Sequence, residues 1–160
     1  MSYIKGLGPE DPAASDNGCF LCDAAAATEP DELRDRLVLL HDERGLLMLN
    51  RYPYTNGHLL AAPPDHVGDL SDLEPPARHG LMDLADLGCQ ILRRAMNPQG
   101  FNIGINLGRC AGAGLPGHVH LHVVPRWAGD VNYMDTIGSV RVIPQALEET
   151  YALLADALEK

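Results

Sequence analysis

The stretch that decides the fold is His118-Val119-His120-Leu121-His122-Val123-Val124-Pro125-Arg126. Side chains alternate between the two faces of a β-strand, so the histidines share one face and the aliphatic residues between them share the other. A buried row of imidazoles is costly unless each ring nitrogen has a partner, such as a metal, an anionic ligand or another ring. The glycine-rich approach at 111–117 and the proline that ends the stretch favour a shaped site over a solvated surface strand.

Composition limits the class of protein. The chain has 160 residues, of which 46% are hydrophobic, and this is enough for one well-packed domain. A formal net charge of −10 argues against a nucleic acid or an anionic membrane as the main partner, because those surfaces attract basic patches. A small phosphorylated ligand needs only a local pocket. Since neither a long apolar run nor a signal-like N-terminus is present, we expect a cytoplasmic protein.

Hydrophobic periodicity outlines the elements around this stretch. Residues 1–18 lack any such period and predict a flexible arm, followed by a single domain over residues 19–160. Apolar leucines and isoleucines at three- and four-residue steps predict one long helix between Pro75-Pro76 and Asn97-Pro98, and the pattern of 146–158 predicts a C-terminal helix. The remaining strands are predicted at 37–41, 46–50, 58–62 and 101–107, which makes an α+β domain with a mainly antiparallel sheet.

The middle histidine is the best candidate nucleophile. A neutral imidazole attacks through one nitrogen only when an acceptor holds the proton on the other, and His120 has a histidine on each side along the same face. The glycine-rich loop offers backbone amides to a negative charge.

These motifs resemble the histidine triad superfamily of nucleotide hydrolases and transferases, whose signature is three alternate histidines followed by two apolar residues. Residues 49–58 look like the superfamily's nucleoside-binding strand and turn, and 102–108 look like its strand leading to the phosphate loop. Residues 50–54, 111–114, 125–127 and 129–134 together most resemble the bacterial diadenosine tetraphosphate phosphorylase branch. The resemblance runs from Cys19 to the mid-140s. It implies the histidine triad fold with a five-stranded sheet, and a homodimer that joins two sheets.

The resemblance also assigns substrate contacts. Asn50 would bind ribose hydroxyls and Asn106 the leaving phosphates, although a turn or a sheet edge would also explain either asparagine. Trp127 would stack on the second adenine of a dinucleotide, or else belong to the core. Arg126 would pair with a polyphosphate or with a carboxylate such as Asp130. His118 and His122 would orient the nucleophile and donate to phosphate oxygens, together with backbone amides of Gly112, Gly114 and Gly117.

A second motif, Cys19-Phe20-Leu21-Cys22, suits a tetrahedral zinc site if two further ligands come from elsewhere. By resemblance these ligands are His66 and His118, and the zinc would be structural; no organic cofactor is expected. The alternatives are a pair of reduced packing thiols and, less favoured, a redox motif. His58 is expected to be a strand residue rather than a ligand, and His41 and His79 are expected to face solvent.

The resemblance implies a nucleotidyl transferase that cleaves diadenosine polyphosphates. His120 would attack the α-phosphorus to give a nucleotidyl-histidine, which inorganic phosphate would resolve to give ADP and ATP. One alternative is a dinucleoside polyphosphate or nucleoside phosphoramidate hydrolase, which forms the same His120 intermediate and resolves it with water. Another is a nucleotide-binding sensor without turnover, which the intact triad disfavours.

Overall fold

The computed structural model describes residues 18–130 and 145–160. Its strands form one antiparallel sheet in the order β1-β2-β3-β5-β4. Their bounds are β1 (Val38–Asp42), β2 (Gly45–Leu49), β3 (Leu59–Ala62), β4 (Gly100–Ile105) and β5 (Leu121–Arg126). The predicted α+β class and its five strands are therefore confirmed. Of the predicted arm over residues 1–18, all but Gly18 lies outside the described residues, as do residues 131–134.

One face of the sheet carries the two long helices. Helix α3 (Pro75–Met96) begins with two prolines, where the missing amide donors cost nothing, and ends at Asn97 in the left-handed conformation. Its buried stripe, with Leu84 and Ile91 fully inside, packs against β2, β3 and β5, and the C-terminal helix (Leu147–Leu158, numbered α4 below) adds Leu154 to the same core. Each buried leucine contributes about 2 kcal/mol. This packing fixes the sheet that carries the histidines.

The opposite face carries short N-terminal helices, α1 (Phe20–Ala25) and α2 (Pro30–Asp35). Leu21 and Ala24 of α1 pack against Met48, Leu60 and neighbouring strand residues. The sequence analysis predicted no helix here, because six residues are too few for a helical period to show. Among the described residues, no helix has the length and apolar character needed to span a membrane.

The histidine strand is shorter than predicted. Its pairing with β3 ends at Ala61 opposite Leu121, and its pairing with β4 ends at Ile105, also opposite Leu121. His118 and His120 therefore lie just before the ladder begins. Both neighbouring strands end at this level, since β3 stops at Ala62 before Pro63-Pro64 and β4 stops at Ile105.

Candidate functional site

The three alternate histidines form a buried row. His118, His120 and His122 are 1%, 6% and 7% exposed, respectively, and the rings of His120 and His122 lie 5.0 Å apart, edge to face. His122 pairs with Leu60 of β3, and Leu60 packs in the cluster under α1, so the row lies on the α1 face of the sheet. The alternation in the sequence predicted this arrangement.

The proton of His120 has a defined position. Its Nδ1 lies 2.8 Å from the backbone carbonyl oxygen of His118. A carbonyl only accepts, so Nδ1 carries the hydrogen and the neutral ring presents a lone pair at Nε2. Burial lowers the pKa of His120 below its ordinary value, which keeps the ring neutral at pH 7. His120 thus has the electronic form of a nucleophile.

A fourth histidine, His58, completes the network. The backbone N–H of Tyr54 donates to Nδ1 of His58 at 3.0 Å, so the hydrogen of His58 sits on Nε2. That Nε2 lies 2.9 Å from Nδ1 of His122. His58 therefore donates to His122, which must carry its own hydrogen on Nε2. Two neighbouring histidines of the row, His120 and His122, are held in opposite tautomers.

Asn50 and Tyr54 surround His58. The side-chain oxygen of Asn50 accepts from the N–H of Tyr52, and its amide nitrogen lies 3.3 Å from Nδ1 of His58. The ring of Tyr54 stacks on His122 with centroids 5.7 Å apart. Asn50 is only 3% exposed. These contacts fit a structural role for Asn50 in the turn, which is one of the two roles that the sequence allowed. The other role, contact with a ribose, stays a prediction.

The pKa of His122 makes the fold sensitive to acid. Burial, reinforced by neighbouring His120, lowers this pKa from 6.5 to about 4. Between these two values the unfolded chain binds a proton that the folded chain does not. Stability from this group is therefore intact above pH 6.5 and is lost as the pH falls toward about 4, at up to about 1.4 kcal/mol per pH unit. The titratable rings that face His122 are His58, His120 and Tyr54.

Thermal unfolding between pH 4 and 7 measures this effect. We expect the Tm of His122→Gln to fall less steeply with acid than the Tm of the wild type, because glutamine does not titrate. His79→Gln is the matched control, since His79 is exposed on α3 and should leave the slope unchanged. Equal slopes for wild type and His122→Gln would remove His122 as the source.

The glycine-rich loop connects the row with a second cluster. Gly112 adopts a positive φ of 92°, and its missing Cβ would lie 3.9 Å from the amide nitrogen of Asn106. That nitrogen is 3.5 Å from Nε2 of His122, and because this Nε2 carries a hydrogen, the amide of Asn106 must turn over so that its oxygen accepts from His122. At the other end of the loop, a Cβ on Gly117 would lie 3.4 Å from Nε2 of His66. The structure therefore brings Gly112 and Asn106 to the row and Gly117 to His66, with Gly114 between them in the loop.

Cys19, Cys22, His66 and His118 form a compact donor cluster, called the metal cluster below, whose ligand atoms all lie within 4.8 Å of one another. Cys19 Sγ lies 3.3 Å from His118 Nδ1, and Cys22 Sγ lies 3.2 Å from His66 Nδ1. A tetrahedral zinc ion with these donors requires separations of about 3.3–3.8 Å. The Nε2–H of His118 donates to the carbonyl of Pro63 at 3.1 Å, which aims its Nδ1 lone pair at the thiols.

The donor chemistry also fits a cation. Burial, with help from the adjacent Cys19 thiol, raises the pKa of Cys22 to about 11. Thiolates are the metal ligands, so a bound cation is what would favour their deprotonation at neutral pH. Because both ring nitrogens of His118 have partners in this arrangement, its side chain has no donor left for a phosphate oxygen.

Comparison with known proteins places the chain in a family. The model of the HIT domain matches residues 32–129. The chain belongs to the HIT family. A Mycobacterium tuberculosis protein named AP-4-A phosphorylase is 39% identical over 157 residues, which are 97% of this chain and 78% of that protein. The HIT resemblance read from the sequence is confirmed.

Two further similar proteins are informative. The crystal structure of a Zn-bound histidine triad family protein from Mycobacterium smegmatis has a TM-score of 0.67 at 31% identity, covering 88% of this chain and 93% of that one. A bis(5'-nucleosyl)-tetraphosphatase [asymmetrical] from Schizosaccharomyces pombe is 33% identical over 91 residues, 57% of this chain and 50% of that protein.

Two predicted substrate residues of this HIT chain lie apart from the row. Arg126 is six residues beyond His120, roughly 20 Å along an extended strand. It makes a two-pronged ion pair with Asp130, which lowers the pKa of that carboxyl to about 2, and it also donates to Asn102. Trp127 is half-buried beside it, and its backbone N–H donates to the carboxylate of Asp130. The carboxylate partner that the sequence offered as an alternative for Arg126 is the one observed.

Sequence reasoning missed the part that His58 plays. It predicted a strand residue, whereas His58 lies just before β3, is fully buried and donates to His122. The only signal was a polar ring between Gly57 and an apolar strand, where a leucine would otherwise be expected. His41 and His79 are exposed, as predicted.

Proposed function

We propose that this HIT protein is a nucleotidyl transferase that cleaves diadenosine polyphosphates, with inorganic phosphate as the acceptor. The observation that carries the proposal is the tautomer of His120, whose Nδ1–H is held by the His118 carbonyl so that Nε2 is free to attack. The similarity to AP-4-A phosphorylase supports the substrate class. Diadenosine tetraphosphate and phosphate would yield ADP and ATP.

The first step forms a bond between His120 Nε2 and the α-phosphorus of one adenosine. The bond from that phosphorus to the bridging oxygen breaks, and its electron pair leaves with ATP. The His118 carbonyl stabilises the positive charge that develops on the ring, because it already accepts the Nδ1–H. In the second step a phosphate oxygen attacks the same phosphorus, the P–N bond breaks, ADP leaves and neutral His120 returns.

His122 is proposed to donate its Nε2–H to the phosphate oxygens that gain charge. His58 is proposed as the positioning residue that keeps this hydrogen on Nε2, through its own donation to Nδ1. Asn106 and the amides of Gly112 and Gly114 would bind the leaving phosphates.

The more distant substrate contacts stay proposals as well. Trp127 is proposed to contact the far adenine. Arg126, whose side chain is 40% exposed beside Asp130, is proposed to contact the polyphosphate. Asn50 is proposed to contact the ribose at the His58 end of the row. Its side chain would do so while keeping its hydrogen bonds to Tyr52 and His58.

The acceptor distinguishes the proposal from its rivals. The S. pombe relative is named as a tetraphosphatase, so hydrolysis is the second candidate. We therefore propose incubation with diadenosine tetraphosphate, with and without inorganic phosphate, followed by separation of the nucleotides. Consumption of phosphate with ADP and ATP as products is the expected result. AMP as the main product at saturating phosphate would establish hydrolysis, and the absence of turnover would favour the sensor.

The metal cluster is proposed to hold a structural zinc ion. Its two sulfur and two nitrogen donors match the zinc preference, and a closed four-ligand site leaves no position for a catalytic water. The ion would tie helix α1 to the sheet and to the loop before the row. The Zn-bound M. smegmatis relative supports this proposal.

We further propose that the domain spans residues 19–160 and acts in the cytoplasm as a homodimer. Strand β4 lies at the edge of the sheet, and its Ile103 side chain is 47% exposed there. An apolar edge strand is a surface on which a second copy can extend the sheet.

A further inference from the structure

The carbonyl that fixes the proton of His120 lies outside the sheet. The ladder of β5 begins at Leu121, so the backbone of residues 118–120 is not held by the strand pairs. Its backbone bonds run instead from Val119 N–H to the carbonyl of Val67, at 2.7 Å, and from His118 N–H to the carbonyl of Leu115, at 3.4 Å. The position of the His118 carbonyl therefore depends on contacts made by the loop and by the His118 side chain.

The metal cluster supplies those contacts. His118 reaches Cys19 and Cys22 of the α1 segment through its Nδ1, at 3.3 and 3.5 Å. His66, the remaining member, immediately precedes Val67, whose carbonyl accepts from Val119. Two of the anchors of residues 118–120 therefore lie at the cluster or next to it: the thiol contacts of the His118 side chain and the carbonyl of Val67. The other two, the carbonyls of Pro63 and Leu115, accept from His118 and lie outside the cluster.

We infer that the metal cluster positions the nucleophile, with Cys19, Cys22 and His66 as positioning residues that act through the backbone carbonyl of His118. When all four ligands hold a metal ion, the carbonyl is fixed and His120 stays in the tautomer with hydrogen on Nδ1. When the cluster is open, the carbonyl shifts and the ring exchanges between tautomers. The inference rests on the proposed function for the role of His120, but the tautomer can be measured without turnover.

The competing explanation is that the metal cluster only holds α1 against the sheet. In that case loss of the metal would lower the stability of the fold but would not change the tautomer of His120 in protein that remains folded. The two explanations therefore separate in a spectrum of the folded protein. A matched destabilised control is available in Leu154→Ala, because Leu154 is fully buried in the core on the opposite face of the sheet.

The experiment records long-range ¹H–¹⁵N spectra of the histidine rings without substrate, for protein loaded with zinc, treated with a chelator, and reloaded with zinc. The His120 signals are assigned by their loss in His120→Gln. We expect a single Nδ1–H tautomer when zinc is bound, an exchange-averaged ring after chelation, and recovery on reloading. His66→Cys, which keeps four zinc ligands, should keep the loaded spectrum, and Leu154→Ala should keep it at a lower Tm.

Kinetics give a second readout. Chelation should lower kcat by roughly 10- to 100-fold, as loss of a supporting ligand shell does, with little change in KM for diadenosine tetraphosphate. If chelation unfolds the chain, zinc is instead titrated into the His66→Ala protein. The tautomer of His120 in its ¹H–¹⁵N spectrum should then follow zinc occupancy. A His120 tautomer that does not respond to zinc in folded protein would overturn the inference. A response without any turnover would support the inference and count against the proposed function.

Discussion

Replacement of His120 with alanine should lower kcat for diadenosine tetraphosphate cleavage by roughly 10⁴-fold or more, the loss expected when a nucleophile is removed. Binding of the dinucleotide should change little. His120 is small and 6% exposed, and in the proposed complex most of the sugar, base and phosphate contacts belong to other residues. Steady-state rates and calorimetric binding of the intact dinucleotide measure the two effects separately.

His79→Ala is the matched control for this variant, because it removes an exposed histidine on the far side of the sheet and should keep the wild-type rate. A His120→Ala protein with more than about a tenth of the wild-type rate would show that His120 is not the nucleophile. The chemistry would then have to start elsewhere in the row.

The second large effect concerns the metal cluster. Protein prepared without chelator should contain about one zinc ion per chain, the stoichiometry of a four-ligand structural site. The double change Cys19→Ser and Cys22→Ser should release it. Zinc binding is coupled to folding at such sites. We expect the Tm to fall by about 10 °C, the shift that a loss of about 4 kcal/mol gives a domain of this size. Metal analysis by mass spectrometry and calorimetry of unfolding provide the two readouts.

Cys110→Ser serves as the thiol control. Cys110 is exposed and lies outside the cluster, so this change should leave both zinc content and Tm as in the wild type. Wild-type protein that carries no metal would remove zinc from the account. The four residues would then be a packed thiol and imidazole cluster.

The sequence was sufficient to predict the row of histidines but not the tautomers of its rings. Alternation places His118, His120 and His122 on one face whatever their surroundings, because the period of a strand is two. The tautomers depend on a carbonyl two residues back and on His58, which belongs to another strand region. That contact exists because β3 pairs with β5 in the register Leu60 to His122, and long-range register cannot be read from one sequence.

Arg126 shows the opposite limit. The sequence left a polyphosphate and a carboxylate open as its partner, because period alone does not report distances between side chains. Asp130, four residues later, binds the guanidinium where the strand ends. The metal cluster was more predictable, because Cys19 and Cys22 have zinc-like spacing and the family resemblance supplied His66 and His118. The short helices α1 and α2 were missed, since six residues are too few for a helical period to be visible.

His120 is proposed to carry the nucleotidyl group during turnover, and mass spectrometry of a trapped reaction detects such a group. Wild-type protein is mixed with diadenosine tetraphosphate in the absence of phosphate, quenched in alkali to preserve the P–N bond, and digested for peptide mapping. We predict one adenylyl group on His120, its discharge as ADP when phosphate is added before quenching, and no adduct in His120→Ala. An adduct on another residue, or turnover to ADP and ATP with no adduct at any time, would contradict the account.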